Sequence, residues 1–297
     1  MTAIQKLIFI QAISALHPGT GQGVGEIDLP VAREKATGIP YLPGSSLKGS
    51  LRALYEGDEQ EKTKIFGSEN VNGSDDTIAS AIQFTDQKLI ALPVRSFKGT
   101  FAYVTSPFLL YRLRRDALEV GLTNIPNTPS DALSEDSALV GNNSVLVATV
   151  DKTQKVLLED LDLQAEKIDI TELWANWIAQ QLFNSASEQD FFKQRFCVVH
   201  DDIMTFLFDT ALEVNARIKI NENSKTVDTG ALWYEEMLPA ETILAGVVIA
   251  NPPRKNSLSE QDVMQKVQNL AQNHSVQLGG KATIGKGICQ VKFVGGK

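Results

Sequence analysis

The order of the predicted elements indicates an α+β fold of ferredoxin-like type, built either as two halves or as one elaborated copy. Strand, helix, strand and strand, or an order close to it, occurs twice along the 297 residues, without a short-period repeat. The hydrophobic fraction of 43% and the charged fraction of 22% are typical of a globular protein. No apolar run reaches the roughly 20 residues of a membrane helix, so no membrane partner is expected.

The first half of the chain is predicted to begin with a strand, a glycine-rich loop and a helix. The strand covers residues 4–16 and the loop 18–25; the helix covers 46–55, with Ser45 or Ser46 as its N-cap. The remaining elements expected in this half are a mobile polar excursion at 57–76, strands at 80–92 and 101–106, a helix from Pro107 and a long loop at 121–144.

The second half contains two strong patterns. Apolar and polar side chains alternate over residues 214–221, which predicts the first limb of a hairpin that turns at NENS and ends near 234. Ser259 is a good N-cap, and Leu258 and Val263 can form a hydrophobic staple, which predicts a helix. The other expected elements are a strand near 155–163, a helix at 171–183 with Leu173, Trp177 and Leu182 facing a core, and strands at 241–250 and 288–294.

Charge is unevenly distributed, although the net charge is −8. Residues 95–115 carry five cations and residues 274–297 carry four lysines, and neither segment contains an acid. Residues 129–172 carry ten acids and three lysines. Separate basic and acidic faces are compatible with RNA on one side and solvent or protein partners on the other, the alternative being a functionless scatter of surface charge.

The few cysteines and histidines favour a reduced, zinc-free protein. Cys197 and Cys289 both lie in apolar surroundings, which fits buried free thiols in the cytosol better than a disulfide. Three scattered histidines make a structural zinc site improbable. The N-terminal apolar run is broken by Gln11 and Ser14 and lacks a cleavage site, so a cytoplasmic location is expected.

The chain has two glycine-rich loops, and neither matches a known nucleotide-binding motif. GTGQGVG fits G-x-G-x-x-G in no register and leads into EIDLP rather than a helix, which excludes a Rossmann fingerprint. GKATIGKG has Walker A spacing, but Gly287 replaces the required Ser or Thr and only ten residues follow. Two interpretations of this second loop remain: a plain turn, or a loop in which backbone N–H groups, Lys281 and Lys286 approach phosphates.

Residues 16–52 combine a carboxylate, a flexible loop and a basic helix. With a helix start near 46, Lys48 and Arg52 would lie on one face in its first turns, where they oppose the helix dipole. An anion such as a phosphate would relieve this cost. Taken singly, Asp28 reads as a turn-capping aspartate, His17 as a strand-end histidine, and the cation pair as a solvated face.

Residues 16–52 and two later segments of the chain together resemble a known family. The segment LHPGTGQGVGEIDLPVAREKATGIPYLPGSSLKGSLR, at 16–52, is similar to the amino-terminal signature of the CRISPR RAMP superfamily. GALWYEEMLPAETILAG and LGGKATIGKG are similar to two further family segments, the second being its glycine-rich loop. Within the superfamily, the chain most resembles the repeated backbone subunits of type III-B, or Cmr, effector complexes, over nearly its whole length.

The resemblance implies an RRM-like, ferredoxin-like palm with finger and thumb insertions. One RAMP domain would span 1–297, with the palm built from about 1–115 and 150–297 and a thumb hairpin at about 214–234; the insertions or loops would lie at about 57–76 and 116–150. Such subunits serve antiviral defence: they stack head-to-tail with copies of themselves and other Cmr subunits along a CRISPR guide RNA. The thumb displaces a base pair at regular intervals, and the exposed target RNA is cleaved by an aspartate with a divalent metal.

The resemblance and the residue patterns together predict roles for individual residues. Asp28 would be the cleaving aspartate, acting as a ligand of Mg²⁺ or Mn²⁺ or as a base toward the 2′-hydroxyl. His17, Tyr234, Glu235 and Glu236 are candidates for auxiliary catalytic roles. The predicted RNA contacts are Ser45, Ser46, Lys48, Arg52, Arg217, Lys219, Gly280, Lys281 and Lys286. Arg217 and Lys219 also read as edge-strand charges that discourage aggregation.

The predicted function is therefore a guide-RNA-bound endoribonuclease subunit that cleaves single-stranded target RNA. Sequence is expected to be read by guide pairing, which leaves the protein to bind backbone shape. The chain lacks the aromatic-rich RNP signature, so no base stacking on the sheet is expected. Two alternatives remain open: a non-catalytic architectural subunit of the effector filament, and a guide-processing nuclease that acts alone on precursor RNA.

Overall fold

A curled mixed sheet with helices on both faces forms the body of the protein, as seen in a computed structural model. The structure describes residues 3–21, 27–68, 78–129, 133–220, 227–253, 258–272 and 274–296. The helices are α1 Gly44–Ala53, α2 Glu59–Phe66, α3 Pro107–Glu119, α4 Asp169–Leu182, α5 Ala186–Arg195, α6 Asp201–Thr210 and α7 Glu260–Ala271. The strands are β1 Ile4–Ala12, β2 Tyr41–Leu42, β3 Ile82–Phe84, β4 Gln87–Arg95, β5 Phe101–Thr105, β6 Ser137–Val140, β7 Val147–Val150, β8 Thr153–Leu158, β9 Leu161–Lys167, β10 Phe196–Val199, β11 Glu213–Ile220, β12 Val227–Met237, β13 Ile243–Ala250, β14 Val276–Gln277 and β15 Ile288–Val294.

The centre of the sheet has the ferredoxin-like strand order. Strands β15, β1, β13 and β4 lie side by side in that order, and each neighbouring pair is antiparallel. Helix α1 lies in the chain between β1 and β4, and α7 lies between β13 and β15. This is the β-α-β-β-α-β arrangement with spatial order 4-1-3-2, so the predicted fold class is confirmed.

The sheet continues beyond this unit through β5, β10, β6, β9, β8 and β7. The pairs β5–β10 and β6–β9 are parallel, and the other pairs in this extension are antiparallel. Hairpin β11–β12 forms a separate two-stranded sheet, close to the predicted 214–234 arm. Its predicted NENS turn lies outside the described residues.

Both faces of the central sheet are buried. In β1, Leu7 and Phe9 pack into one apolar cluster with side chains of α3, α4 and α5. Ile8 and Ile10 point to the opposite face, as the period of two requires, and pack with side chains of α1, α2, α6 and α7. Helices therefore cover the sheet face that an RRM uses for base stacking, in agreement with the missing RNP signature.

Helix α1 begins earlier than predicted, so its assigned cap is wrong. Its N-cap is Pro43, whose side chain makes no capping bond, and Ser45 and Ser46 lie inside the first turn. Asp86, from the loop between β3 and β4, accepts a hydrogen bond of 2.9 Å from the backbone N–H of Gly44 instead. A carboxylate at this position satisfies an orphan N–H group and favours the positive end of the helix dipole.

Because α1 begins earlier than predicted, Arg52 does not oppose the helix dipole, contrary to the expectation from the sequence. This residue lies in the last turn of α1, where a cation is favourable, and Lys48 lies in the middle of the helix. The predicted excursion at 57–76 contains helix α2, and the predicted loop at 121–144 contains β6. Residues 69–77 lie outside the described part.

Elements with strong local signals agree closely with the prediction. Helix α3 begins at Pro107, α7 has Ser259 as its N-cap in a capping box, and β15 spans Ile288–Val294. Helix α4 forms with Trp177 and Leu182 buried, but Leu173 is exposed, contrary to expectation. Trp174 and Ile178, which widen the predicted apolar stripe of this helix, are buried in the core as expected.

The two cysteines are buried free thiols, as predicted. Burial raises the pKa of Cys197 and of Cys289 to about 12, so both thiols stay protonated and unreactive near neutral pH. None of the helices in the described part of the chain is both long enough and apolar enough to span a membrane.

Candidate active site

Four segments converge at the base of hairpin β11–β12. The turn after β1 pairs with the chain after β12 through reciprocal backbone hydrogen bonds of 2.8 Å between Leu16 and Leu238. The segment that carries Asp28 pairs with β12 where Leu29 lies beside Glu235. The glycine-rich loop joins the cluster through Gly280, whose N–H donates to the His17 carbonyl over 3.0 Å. The fold thus brings together segments from both ends of the chain.

Asp28 is exposed, and β12 fixes its carboxylate. The Oδ2 atom of Asp28 accepts a hydrogen bond of 2.8 Å from the backbone N–H of Tyr234. The next residue, Leu29, donates to the Tyr234 carbonyl over 3.1 Å and accepts from the Glu236 N–H over 3.0 Å. Residues 28–29 therefore add a short parallel pairing to the free edge of β12, which holds an exposed carboxylate in a defined place.

His17 is almost completely buried, at 6% exposure. Its Nδ1 lies 2.7 Å from the Glu236 carbonyl oxygen, and because a carbonyl can only accept, Nδ1 carries the hydrogen of this bond. A Cβ atom at Gly19 would lie 2.5 Å from His17 Nε2, so the loop crosses directly over the ring. His17 is thus placed between the Asp28 loop and the hairpin.

Glu235 lies in the interior with three donors around its carboxylate. Lys281 Nζ is 2.5 Å away, Trp233 Nε1 is 2.8 Å away and Arg217 Nε is 3.3 Å away. Burial raises the pKa of Glu235, but the hydrogen bonds from Lys281, Trp233 and Arg217 outweigh it and hold the pKa below its ordinary value. Two cations against one carboxylate leave a net positive charge at this position.

Glu236 points to the other side of β12 and is 4% exposed. Its Oε2 accepts from the Val31 N–H over 2.9 Å, and its Oε1 accepts from Arg33 Nη2 over 2.8 Å. The Arg33 guanidinium also donates to the Phe208 carbonyl over 2.8 Å and lies 3.3 Å from Asp209. Glu236 therefore ties the segment after Asp28 to the hairpin and to α6.

Tyr234 lies on a hairpin face whose large apolar side chains stay partly exposed in the described structure, although Glu236 at its base is buried. The large apolar side chains of this face are between 40% and 54% exposed, and they are Val214, Ile218, Ile220, Leu232 and Tyr234. Arg217 and Lys219 alternate with them and lie on the opposite face. A two-stranded ribbon that exposes so much apolar surface is typical of a binding surface.

The glycine-rich loop requires glycine at specific positions. Gly279 has φ +68°, and a Cβ there would lie 2.5 Å from the His17 carbonyl oxygen. Gly287 has φ +73°, and a Cβ there would lie 1.9 Å from the Leu278 carbonyl oxygen. Lys281 also has positive φ, at +68°, which is costly for a residue with a side chain, and its ion pair with Glu235 compensates.

Part of the predicted anion-binding capacity of this loop is already used within the protein. The amide groups of Gly280, Gly285, Lys286 and Gly287 donate to protein carbonyl groups. Lys281 is bound to Glu235, and the side chain of Lys286 is partly buried. The loop therefore offers positive charge near the site, and most of its backbone serves to shape the turn.

Helix α1 presents a second basic group, next to α2. Arg52 Nη1 donates to the Gly67 carbonyl over 2.5 Å, and its Nη2 lies 4.0 Å from Glu59. Burial and then the neighbouring Arg52 charge lower the pKa of Lys48 from its ordinary value. Ser45 and Ser46 are predicted to contact RNA at the start of this helix. The Asp86 carboxylate already lies at that helix start, where it would compete with an RNA phosphate.

The described residues offer Asp28 no cluster of metal ligands. The described side chains close enough to share an ion are Glu135, His200 and Asp202, at the N-terminal end of α6, and Asp28 is not among them. Beside Asp28, the carboxylates of Glu235 and Glu236 are occupied by cations and amides. The exposed carboxylate of Asp28 fits one position of a Mg²⁺ or Mn²⁺ ion that takes its other ligands from water and RNA phosphates.

Sequence reasoning missed three residues that shape this site. Arg33 binds Glu236, Trp233 binds Glu235 and Asp86 caps α1. The partners of Arg33 and Asp86 lie 203 and 42 residues away, so no local spacing could reveal these contacts. Trp233 belongs to the quoted segment GALWYEEMLPAETILAG, where a tryptophan beside two glutamates was the available signal.

Comparisons with known proteins identify the family and the fold of this chain. A model of the RAMP superfamily matches residues 9–290. The CRISPR system Cmr endoribonuclease Cmr4 of Pyrococcus furiosus is 33% identical over 295 residues, which cover 96% of this chain and 94% of the relative. The crystal structure of oligomeric Cmr4 from the same organism has a TM-score of 0.75 at 28% identity and covers 99% of this chain and 98% of its own. A subunit in the cryo-EM structure of the type III-B Cmr-beta complex bound to cognate target RNA has a TM-score of 0.71 at 25% identity, over 97% and 96%.

Proposed function

Because this chain belongs to the RAMP superfamily, we propose that it is a backbone subunit of a CRISPR type III-B effector complex. In this role it binds guide RNA in the cytoplasm, stacks with copies of itself and other Cmr subunits, and cleaves complementary single-stranded target RNA at regular intervals. The name of the Pyrococcus furiosus relative supports endoribonuclease activity, and the RNA-bound Cmr-beta neighbour supports assembly around RNA.

One observation carries the catalytic part of this proposal. The exposed Asp28 carboxylate is held by the Tyr234 N–H at the base of a hairpin that presents an uncovered apolar face. On the other side of β12, Arg217 and Lys281 surround Glu235 and leave a net positive charge for an RNA phosphate. The base of this hairpin thus combines a carboxylate, a positively charged group and an apolar face. This combination suits cleavage of an RNA strand whose bases are splayed apart.

The reaction follows from the chemistry of RNA. The 2′-hydroxyl of the nucleotide at the cut attacks the adjacent phosphorus and forms a 2′,3′-cyclic phosphate. The bond from this phosphorus to the 5′-oxygen of the next nucleotide breaks, and that oxygen leaves with a proton taken from water. The apolar face of the hairpin covers unstacked bases and turns the hydroxyl into line with the bond that breaks, a matter of positioning. Asp28 accepts the 2′-hydroxyl proton or binds the metal ion.

Mg²⁺ or Mn²⁺, when bound, would supply charge stabilisation to the phosphate oxygens. Asp28 would be its protein ligand, because the neighbouring carboxylates are already paired. His17 and Glu236 act in this arrangement by holding the Asp28 loop, and Glu235 by holding the glycine-rich loop. Lys48, Arg52, Lys281, Lys286 and the hairpin cations Arg217 and Lys219 add salt-dependent attraction for guide and target phosphates.

A cleavage assay on the assembled complex tests the proposal against its architectural rival. With guide RNA, Mg²⁺ and a complementary end-labelled target, we expect fragments separated by a constant number of nucleotides. If Asp28 acts through a metal ion, excess chelator should abolish the ladder without releasing the target, since binding uses protein cations and guide pairing. A ladder that survives the chelator would assign Asp28 the role of the base. Target binding without any cutting under both conditions would favour the non-catalytic subunit, and cutting of repeat RNA by the isolated chain would favour the guide-processing nuclease.

A further inference from the structure

Strand β12 carries two adjacent glutamates, Glu235 and Glu236, which bind two different segments of the site. Glu235 points to one side, toward Lys281 of the glycine-rich loop and Arg217 of β11. Glu236 points to the other side, toward Val31 and Arg33 of the segment that carries Asp28. Neighbouring residues in a strand face opposite sides, so this one pair connects β12 to both segments.

The contacts of Glu236 use both ends of the residue. Each carboxylate oxygen accepts one hydrogen bond, Oε2 from the Val31 N–H and Oε1 from the Arg33 guanidinium. The Glu236 carbonyl accepts from His17 Nδ1, and its N–H donates to the Leu29 carbonyl. The residue is thus bonded to the chain on both sides of the Asp28 loop, before residue 18 and after residue 28.

We propose that Glu236 is a positioning residue for RNA cleavage, which holds the segment from Asp28 to Arg33 against β12 so that the hairpin and the Asp28 carboxylate move as one body. The inference rests on the proposed function of Asp28. It assigns Glu236 no contact with RNA or metal, because its carboxylate is buried and both of its oxygens are engaged. When the apolar face of the hairpin engages RNA, the displacement reaches Asp28 through the Tyr234 N–H.

The variant Glu236→Gln tests this role with almost no change in size. Glutamine offers one acceptor and one NH₂ donor, and that donor would face either the Val31 N–H or the Arg33 guanidinium, which are donors themselves. The loop is then free to shift by a fraction of an ångström to about 1 Å, which is enough to cost about 100-fold in rate. We expect single-turnover cleavage at saturating target to fall about 10- to 100-fold. Guide and target affinity should stay within twofold.

The control Asp209→Asn removes the exposed partner of the same arginine. Asp209 is 3.3 Å from Arg33 and its side chain is 75% exposed, so its loss leaves the Glu236 contacts in place. Cleavage by this variant should be unchanged. Equal losses of cleavage and of target affinity in Glu236→Gln would show a general structural role and overturn the proposal, as would full activity.

Amide hydrogen exchange separates this inference from the catalytic role of Asp28. In Glu236→Gln, the Tyr234 amide should lose protection, and so should the Val31 amide when the new NH₂ group faces it, while amides of β1 and β13 keep theirs. Retained protection at both amides would overturn the positioning role, whatever the cleavage result. If Asp28→Asn still cleaves, the proposed catalytic function fails, and the exchange data still decide whether Glu236 holds the loop.

Discussion

Replacing Asp28 with asparagine is expected to reduce target cleavage by at least about 100-fold, the lower part of the range for a positioned acid, base or metal ligand. Asparagine keeps the size of the side chain and an oxygen that accepts from the Tyr234 N–H. It removes the negative charge that, in the proposed mechanism, would bind a cation or accept the 2′-hydroxyl proton. Because Asp28 is exposed, folding and assembly should be unaffected.

The measurement is single-turnover cleavage by complexes assembled from the variant, with guide and target affinity determined in parallel. Asp162→Asn on β9 is a matched control, since Asp162 is also exposed and pairs only with Lys155 among its described contacts. It should cleave like the unmodified complex. Cutting at the same sites and at an undiminished rate by Asp28→Asn would show that another group performs the chemistry.

The double substitution Ile218→Asp with Leu232→Asp is expected to have the second-largest effect. These side chains lie opposite each other in the hairpin register and are 50% and 54% exposed. Aspartates there would present negative charge and no apolar surface to the bases and phosphates of the duplex. We expect cleavage to fall about 100-fold, because the target is no longer held in line for attack.

A substitution at one exposed position usually shifts stability by no more than about 0.5 kcal/mol. The two aspartates lie opposite each other and repel, which costs up to about 1 kcal/mol more, and the folded chain should tolerate this sum. Leu173→Asp provides the control, because Leu173 is 55% exposed on α4 and belongs to no part of the hairpin. The measurements are thermal stability, target affinity and the cleavage ladder. A normal ladder from the hairpin variant would remove the apolar face from the mechanism.

Elements that carry their own signals could be predicted from the sequence. The start of α3 at Pro107, the capping box of α7 at Ser259 and the last strand all depend on residues a few positions apart. The start of α1 could not be predicted, because its first N–H is satisfied by Asp86, 42 residues away. Helix α2 is short and polar, so it has hardly any apolar stripe to detect.

In the candidate site as well, some residues could be predicted from the sequence and their contact partners could not. The family resemblance points to Asp28, and the fold brings Asp28 and the two glutamates of β12 together at the base of one hairpin. Their partners could not be foreseen, because Val31 and Glu236 are 205 residues apart and Lys281 and Glu235 are 46 apart. Such contacts depend on the tertiary pairing of β12, which no local pattern encodes.

Strand β12 is therefore the element that organises the site. Its edge pairs with residues 28–29. Glu236 binds the segment that carries Asp28, and Glu235 binds the glycine-rich loop. Leu232 and Tyr234 of this strand belong to the apolar face of the hairpin. In the proposed function, one hairpin would therefore both splay the RNA and present the carboxylate assigned to cleavage.

The distance from the Asp28 carboxylate to the cut site in a complex with guide and target RNA tests the central claim most directly. A structure of the Asp28→Asn complex, which should keep its target intact, supplies that distance. We expect the side-chain oxygen of residue 28 within hydrogen-bond reach of the 2′-hydroxyl of the splayed nucleotide, or separated from the adjacent phosphate by a single metal ion. A side chain more than about 10 Å from every displaced nucleotide, beyond the reach of one bridging ion or water, would contradict the account.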